Sequence, residues 1–145
     1  MSRRTGFASA KVNLYLHVGA TGGDGYHPID SLMVFADVGD VLTLEPAPAP
    51  VFTTDGAFSG AAPMDEGNLV VRAARALIGA AGGAAPGFAL HLDKRLPVAA
   101  GLGGGSSDAA AALRLVNAIL PVPLETEALQ ALAAGLGADV PACLA

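Results

Sequence analysis

The sequence predicts an α+β fold for its 145 residues, a length that suits one domain. Segments with strand-like and with helix-like hydrophobic spacing both occur, but they do not alternate regularly as strand, helix, strand. Hydrophobic residues make up 52% of the chain and charged residues 14%, which is enough apolar material for a core. No repeat of 20–50 residues is visible.

The first predicted strand extends from Phe7 to Thr21, where apolar and polar residues alternate with period two. Such alternation predicts one face towards the core, formed by Val12, Leu14, Leu16 and Val18. The opposite face carries Lys11, Asn13, Tyr15 and His17. The turn-forming residues 21–25 end this strand.

Two further strands are predicted at Ile29–Val38 and Val41–Leu44, with Gly39-Asp40 as a break between them. Their closeness along the chain favours an antiparallel meander. Residues 46–67 are rich in Pro, Gly and Ala and predict a surface connection with one short strand at Val51–Thr54.

The second half of the chain predicts three helices and one strand. The first helix is expected over Asn68–Ala81, followed by Gly82-Gly83, and a strand over residues 88–92. An alanine-rich helix follows a glycine-rich loop and continues to about Leu120, and a last helix spans roughly Glu125–Ala134. The stretch 137–145 is apolar and has no stop signal, so we expect the polypeptide to continue beyond it.

The charge balance excludes partners that are bound through a basic surface. Eight Lys and Arg stand against thirteen Asp and Glu, which gives a net charge of -5 and a pI near 4.9. Neither a nucleic acid nor a membrane is therefore an expected partner. The single cysteine, Cys143, forms no internal disulfide, and no segment has the apolar length of a signal peptide or membrane span. We expect a cytoplasmic protein, with its oligomeric state left open.

A glycine-rich loop precedes the alanine-rich helix and reads Gly101-Leu102-Gly103-Gly104-Gly105-Ser106-Ser107-Asp108. Free amides in a first helical turn attract anions, and glycines let the backbone approach phosphate oxygens. No lysine follows, so the loop is not a P-loop, and Ser106 replaces the last glycine of the dinucleotide fingerprint. The alternative is an ordinary helix start capped by Ser106 or Ser107. We favour the phosphate role.

Four stretches together resemble the GHMP kinases, the superfamily of galactokinase, homoserine kinase and mevalonate kinase. They are residues 10–14 (Ala-Lys-Val-Asn-Leu), 24–27 (Asp-Gly-Tyr-His), 97–108 around the glycine-rich loop, and 137–141 (Gly-Ala-Asp-Val-Pro). The glycine-rich loop alone indicates the superfamily. The first two stretches are similar to its branch that phosphorylates 4-diphosphocytidyl-2-C-methyl-D-erythritol.

The resemblance implies a cytoplasmic kinase of non-mevalonate isoprenoid biosynthesis, which transfers the γ-phosphate of ATP, with Mg²⁺, to the 2-hydroxyl of that substrate. It also implies a largely antiparallel mixed sheet packed with helices, in the topology of ribosomal-protein domain 2. Members are about twice as long, so residues 1–145 would be the N-terminal, ATP-binding domain, cut before or at the start of a C-terminal domain. Such a fragment is expected to have weak or no activity.

The same resemblance assigns the site residues. Lys11 and Asp139 would be catalytic, the lysine beside the γ-phosphate and the carboxylate as general base. Asn13, Tyr26 and His27 would bind substrate, the last two around the cytidine base. The nucleotide would lie on the loop formed by Pro97, Val98, Ala99, Ala100, Gly101, Leu102, Gly103, Gly104, Gly105, Ser106 and Ser107. No residue is assigned to a metal, and Asp108 is interpreted as a carboxylate suited to the first turn of the helix.

Two alternatives stay open at this point. One is another GHMP kinase acting on a small alcohol such as mevalonate or homoserine, which would need no base pocket at Tyr26 and His27. The other is a non-catalytic binding module, which the net charge of -5 disfavours if its partner is a nucleic acid.

Overall fold

The computed structural model describes all residues, 1–145, and confirms the α+β class. Its strands are β1 (Arg4–Val18), β2 (Ile29–Pro46), β3 (Val51–Asp55) and β4 (Phe88–Asp93). Its helices are α1 (Leu69–Ala80), α2 (Gly104–Asn117), α3 (Thr126–Leu136) and α4 (Val140–Leu144), with a short 3₁₀ turn at Ser59–Ala61. No helix in this set is both long enough and apolar enough to cross a lipid bilayer.

The four strands form one mixed sheet in the order β1-β2-β4-β3. β1 pairs with β2 and β2 with β4 in antiparallel fashion, whereas β3 and β4 are parallel. The connection from β3 to β4 contains α1, because parallel neighbours need a crossover long enough to return to the same edge. The predicted, largely antiparallel mixed sheet is therefore confirmed.

The core lies between one face of the sheet and the helices. Phe88, Leu90 and Leu92 of β4 are buried, while the residues between them are only half-buried. α2 packs against β1, β2 and α1, and its buried residues 109–112 are all alanine. Because alanine side chains are short, α2 can approach the sheet closely, which fixes where its N-terminus lies.

One expectation about β2 is wrong, and residues near the chain end form a helix that was not predicted. The predicted break at Gly39-Asp40 does not exist, because β2 continues through both residues. The register shifts between Ser9 and Lys11, where residues 36–38 lie opposite Ala10 alone. The extra residues form a bulge, and the pairing of β1 with β2 continues on both sides of it. Val140–Leu144, for which no element was expected, forms α4.

The expected buried face of the first strand is also wrong beyond Val12. Asn13 pairs with Met33 and Tyr15 with Leu32, so Leu14 is an extra residue and the alternation reverses there. Residues 13–18 of β1 and 29–33 of β2 pair with each other and form a two-stranded outer ribbon, on which no helix packs. Its apolar side chains therefore stay exposed, with Val18 58% accessible.

Candidate active site

The glycine-rich loop connects β4 to α2 through left-handed backbone. Gly101 and Gly103 have φ angles of 73° and 60°, and Gly103 is the N-cap residue of α2. Ala99 has φ 58°, a conformation that costs a non-glycine residue roughly 1–2 kcal/mol. Neither serine caps the helix, because no side chain makes a hydrogen bond at this N-cap. The capping alternative for Ser106 and Ser107 is therefore wrong.

The amides of this loop have no partner within the chain. From Val98 through Ser106 no backbone N–H donates a hydrogen bond, and the first intrahelical bond joins Ser107 N to Gly103 O at 2.9 Å. A row of unsatisfied donors at a helix N-terminus is costly unless water or a ligand accepts them. The loop is accordingly accessible, and its donors are available to an anion.

The loop forms one wall of a cavity of about 400 Å³. The loop residues from Pro97 through Ser106 line it, together with residues at the start of α1 such as Asn68 and Leu69. Ser107, which was expected among the nucleotide-binding residues, does not line the cavity. It is buried, and its hydroxyl lies 3.4 Å from the Cys143 sulfur.

Lys11 lies against the same loop from the side of β1. Its backbone N–H donates to Leu102 O at 2.7 Å, and its side chain passes so close to Gly103 that a Cβ there would lie 2.9 Å from Lys11 Cε. The stem is buried. β1 therefore fixes the main chain of Lys11, and the glycine-rich loop restrains the end of its side chain.

Asp139 meets Lys11 at the start of α4. Its Oδ2 lies 3.0 Å from Lys11 Nζ, while half of the Asp139 side chain remains exposed. The carboxylate makes no capping bond to α4, so its second oxygen can accept a further hydrogen bond. A cation and an accessible carboxylate therefore lie in contact beside the anion-binding loop, from sequence positions 128 residues apart. This arrangement can stabilise developing negative charge and receive a proton.

The three residues expected to bind substrate lie on or beyond the outer ribbon. Asn13 is exposed and shares a face with Lys11, because the register between them is regular. Tyr26 is 78% exposed in the loop between β1 and β2. Both ring nitrogens of His27 lie near local oxygens, Nδ1 at 2.8 Å from Gly19 O and Nε2 at 3.1 Å from Thr21 Oγ1. None of the three lines the cavity.

A buried ionic cluster of three residues, Asp40, Lys94 and Asp108, lies behind the loop. Lys94 Nζ donates to Asp40 Oδ2 at 2.5 Å and to Asp108 Oδ2 at 2.9 Å. Burial opposes the charged form of Lys94, but the two carboxylates outweigh it and raise the pKa of Lys94. Burial raises the pKa of Asp108 to about 7 against the opposing effect of Lys94, and Asp40 adds to the rise.

The sequence interpretation missed this cluster and gave Asp108 another role. Asp108 does not act on the helix terminus: it lies beyond the first turn of α2, is buried and is paired with Lys94. A signal was available, because Lys94 is one of only two lysines and stands just before the loop. Its partner Asp40 lies 54 residues away on β2, and no local pattern connects the two.

The structure contains no group of three His, Cys, Asp or Glu residues that could hold a metal ion. Cys143 is buried, as expected for a small apolar side chain. The donors at this site are amides and one ammonium, which suit a polyphosphate better than a free cation.

Comparison with known families finds one matching family model. Residues 68–145 match the GHMP kinases N terminal domain. That stretch contains α1, β4, the glycine-rich loop and all of α2, α3 and α4.

Curated relatives are similar over nearly the whole chain. A "4-diphosphocytidyl-2-C-methyl-D-erythritol kinase" of Caulobacter vibrioides is 58% identical over 142 residues, which are 98% of this chain and 49% of the relative. A protein of the same name from Brucella melitensis is 47% identical over 97% of this chain and 47% of its own length. The chain thus spans about half the length of the curated relatives it matches.

Solved structures agree in fold. A crystal structure of 4-(cytidine 5'-diphospho)-2C-methyl-D-erythritol kinase is 40% identical, with a TM-score of 0.79 over 97% of this chain and 48% of that one. A mevalonate kinase is only 14% identical but reaches a TM-score of 0.67 over 92% of this chain and 46% of that one. The second comparison concerns the fold alone.

Proposed function

The chain belongs to the GHMP kinase family, and on that premise we propose that the complete protein is an ATP-dependent small-molecule kinase. Its acceptor would be the 2-hydroxyl of 4-diphosphocytidyl-2-C-methyl-D-erythritol, a substrate of non-mevalonate isoprenoid biosynthesis. The relatives at 47–58% identity that carry this substrate in their names support the choice. Residues 1–145 would form the N-terminal domain of a polypeptide about twice as long.

The observation that carries the proposal is the set of unpartnered amides from Val98 through Ser106, next to the Lys11–Asp139 pair. The triphosphate of ATP would accept hydrogen bonds from these amides at the positive end of the α2 dipole. Because the chain carries a net charge of -5, its overall charge does not attract a polyanion. A local site of this kind can hold one instead. The adjacent cavity of about 400 Å³ has room for the rest of a nucleotide.

Asp139 would accept the proton of the acceptor hydroxyl, and Lys11 would stabilise the negative charge that develops between the hydroxyl and the γ-phosphate. The hydroxyl oxygen forms a bond to the γ-phosphorus while the bond from that phosphorus to the β,γ-bridging oxygen breaks, which releases ADP. The 3.0 Å contact between the two side chains holds the carboxylate and the ammonium in position before substrate arrives. Because the transfer depends mostly on positioning and charge, few further groups are needed.

Mg²⁺ would accompany ATP and neutralise charge on its phosphates. The chain offers no set of three carboxylate, imidazole or thiolate ligands, so phosphate oxygens and water would hold the ion. The residues assigned here act on the nucleotide and on the acceptor hydroxyl.

The substrate's cytidine would stack on Tyr26, whose ring is 78% exposed, and His27 would bind the polar edge of the base. Asn13 shares a face with Lys11. Its amide would therefore donate a hydrogen bond to the substrate near the reacting hydroxyl, or accept one from it. Residues 1–145 supply only one side of such a pocket. We therefore expect little or no turnover from residues 1–145 alone.

A coupled assay of ADP release by the complete protein tests the proposal, with 4-diphosphocytidyl-2-C-methyl-D-erythritol, mevalonate and homoserine as separate acceptors. We expect ATP-dependent phosphorylation of the first acceptor only. Asp139→Asn, which keeps the shape of the side chain, should abolish turnover, whereas Glu127→Gln on α3, which is exposed and outside the cavity, should not. Phosphorylation of mevalonate or homoserine alone would replace the proposed substrate, and turnover by Asp139→Asn would remove its role as general base.

A further inference from the structure

The buried cluster of Asp40, Lys94 and Asp108 joins three separate elements directly behind the glycine-rich loop. Asp40 belongs to β2, Lys94 follows the end of β4, and Asp108 belongs to α2. Their exposed fractions are 0%, 3% and 2%. Lys94 Nζ contacts one oxygen of each carboxylate, so the ammonium links β2 to α2 through the residue that leaves β4.

Asp40 binds the main chain just before the loop as well as the ammonium of Lys94. Its Oδ1 accepts hydrogen bonds from the backbone N–H groups of Arg95 and Leu96, at 2.6 and 2.7 Å. These two residues immediately precede Pro97, where the loop begins. One carboxylate therefore fixes both the side chain of Lys94 and the direction in which the main chain turns away from the sheet.

The ammonium lies against the backbone at the exit of the loop. A Cβ added to Gly104, the first residue of α2, would lie 3.1 Å from Lys94 Nζ and 3.7 Å from Asp40 Oδ2. Lys94 and Asp108 also contribute to the lining of the cavity. The cluster is thus in contact with both ends of the segment whose amides are free.

Stability alone does not account for such a cluster. Well-packed apolar residues of similar size often replace a buried ion group with no loss of stability, because desolvation of the charges offsets their attraction. Here two carboxylates share one ammonium, and Asp108 Oδ1 accepts no hydrogen bond from the protein. A buried unpaired oxygen is unfavourable and calls for an explanation, and a function that depends on the local geometry supplies one.

We propose that Lys94 is a positioning residue of the nucleotide site: through Asp40 and Asp108 it fixes both ends of the glycine-rich loop, so that the loop amides converge on the polyphosphate. This inference rests on the proposed function for the identity of the ligand. It assigns no contact between Lys94 and substrate. Without the ammonium the loop would sample many backbone conformations, and binding would then require it to become ordered.

The test uses the complete protein and a charge-balanced variant, Lys94→Met combined with Asp108→Asn. This pair removes the ammonium and the carboxylate it neutralises, keeps the side-chain volumes similar and leaves Asp40 bonded to the two amides. The matched control is Arg72→Met, which removes one positive charge from the exposed side of α1. Circular dichroism and a thermal melt establish that each variant is folded.

Two measurements on the folded variants then test whether Lys94 positions the loop. ATP affinity in the presence of Mg²⁺ should fall at least tenfold in the double variant and less than twofold in the control, with the loss in KM for ATP larger than the loss in kcat. Hydrogen exchange without nucleotide should accelerate at least tenfold at the hydrogen-bonded amides that flank the loop, those of Arg95, Leu96 and Ser107, while exchange in α1 and β4 stays within twofold of the wild type. A folded double variant with wild-type ATP affinity and wild-type exchange would overturn the inference.

The two readouts separate this inference from the function it rests on. If the wild-type protein bound no ATP, the proposed function would be wrong, and the exchange experiment would still decide whether Lys94 orders the loop. If exchange accelerated throughout the protein rather than at the three flanking amides, Lys94 would be a general stabiliser and the inference would be wrong.

Discussion

Replacing Gly103 with alanine should separate catalysis from folding, because the new methyl group would meet the side chain of Lys11. Gly103 has φ 60°, so alanine there costs roughly 1–2 kcal/mol of backbone strain. Its Cβ would lie 2.9 Å from Lys11 Cε and 3.1 Å from Lys11 Cβ. The end of a lysine side chain is flexible and would move aside, which takes the ammonium away from Asp139.

Gly82→Ala is the matched control, because Gly82 has φ 70° and a Cβ there would meet nothing within 4 Å. Both variants should lose similar stability, visible as a decrease of about 2–4 °C in Tm for each kcal/mol of strain. Gly103→Ala keeps its amide, so ATP binding should change little.

The kinetic consequence should be confined to Gly103→Ala. Loss of one well-placed electrostatic donor costs about 10²–10³ in kcat, and a partly displaced lysine should cost at least about tenfold. Steady-state kinetics of the complete protein and thermal melts of both variants provide the measurements. A Gly103→Ala enzyme with the kcat of Gly82→Ala would refute the reasoning, since Lys11 would then not depend on its contact with the loop.

The remaining predictions concern the catalytic pair, the base pocket and the buried cluster. Lys11→Ala should lower kcat about 10²–10³-fold with KM for ATP changed much less, as measured by ADP release. Tyr26→Ala should raise KM for the cytidyl substrate by about tenfold, which corresponds to an aromatic stacking contribution of about 1.4 kcal/mol, without changing KM for ATP. Asp108→Asn should flatten the dependence of unfolding free energy on pH between about 4 and 7, as measured by urea titration at several pH values.

The direction expected for Asp108 follows from its burial. The folded protein raises the pKa of this carboxyl from 3.8 to about 7, so the folded state holds a proton that the unfolded state releases. The free energy of unfolding contributed by Asp108 is therefore largest below pH 4 and is lost as pH rises through 7, by at most about 4 kcal/mol. Wild-type stability that rose in this window relative to Asp108→Asn would contradict the assignment.

For Lys11 and for Tyr26, a specific kinetic result would disprove the role assigned to the residue. Lys11→Ala with undiminished kcat would remove the lysine from the chemistry. Val122→Ala is the control for Tyr26→Ala, because Val122 is equally exposed but lies outside the site, between α2 and α3. Equal KM values for the cytidyl substrate in both variants would exclude Tyr26 from base binding.

The parts of the fold that depend on local pattern could be predicted from the sequence. Asn68 accepts a hydrogen bond from Val70 N and caps α1 at the predicted start, and β4 alternates between buried and half-buried residues as its spacing indicated. The glycine-rich loop was recognisable because glycine is the residue that best tolerates its left-handed backbone. These features are decided by residues that are neighbours in the chain.

The features that sequence reasoning missed depend on distant residues or on single insertions. The extra residue Leu14 reverses the alternation of β1, and nothing in the pattern marks it. The exposed ribbon could not be foreseen, because its apolar residues look like those of a buried strand. The buried cluster requires Asp40 and Lys94 to meet across 54 residues, which is a property of the sheet order β1-β2-β4-β3.

Amide exchange at single-residue resolution, by NMR of the complete protein with and without ATP and Mg²⁺, tests the central claim most directly. The account predicts that the N–H groups from Val98 through Ser106 exchange rapidly in the free protein, and that ATP slows several of them at least tenfold and shifts their resonances. Strong protection of these amides before ATP is added would contradict it, and so would binding of ATP that leaves them unchanged.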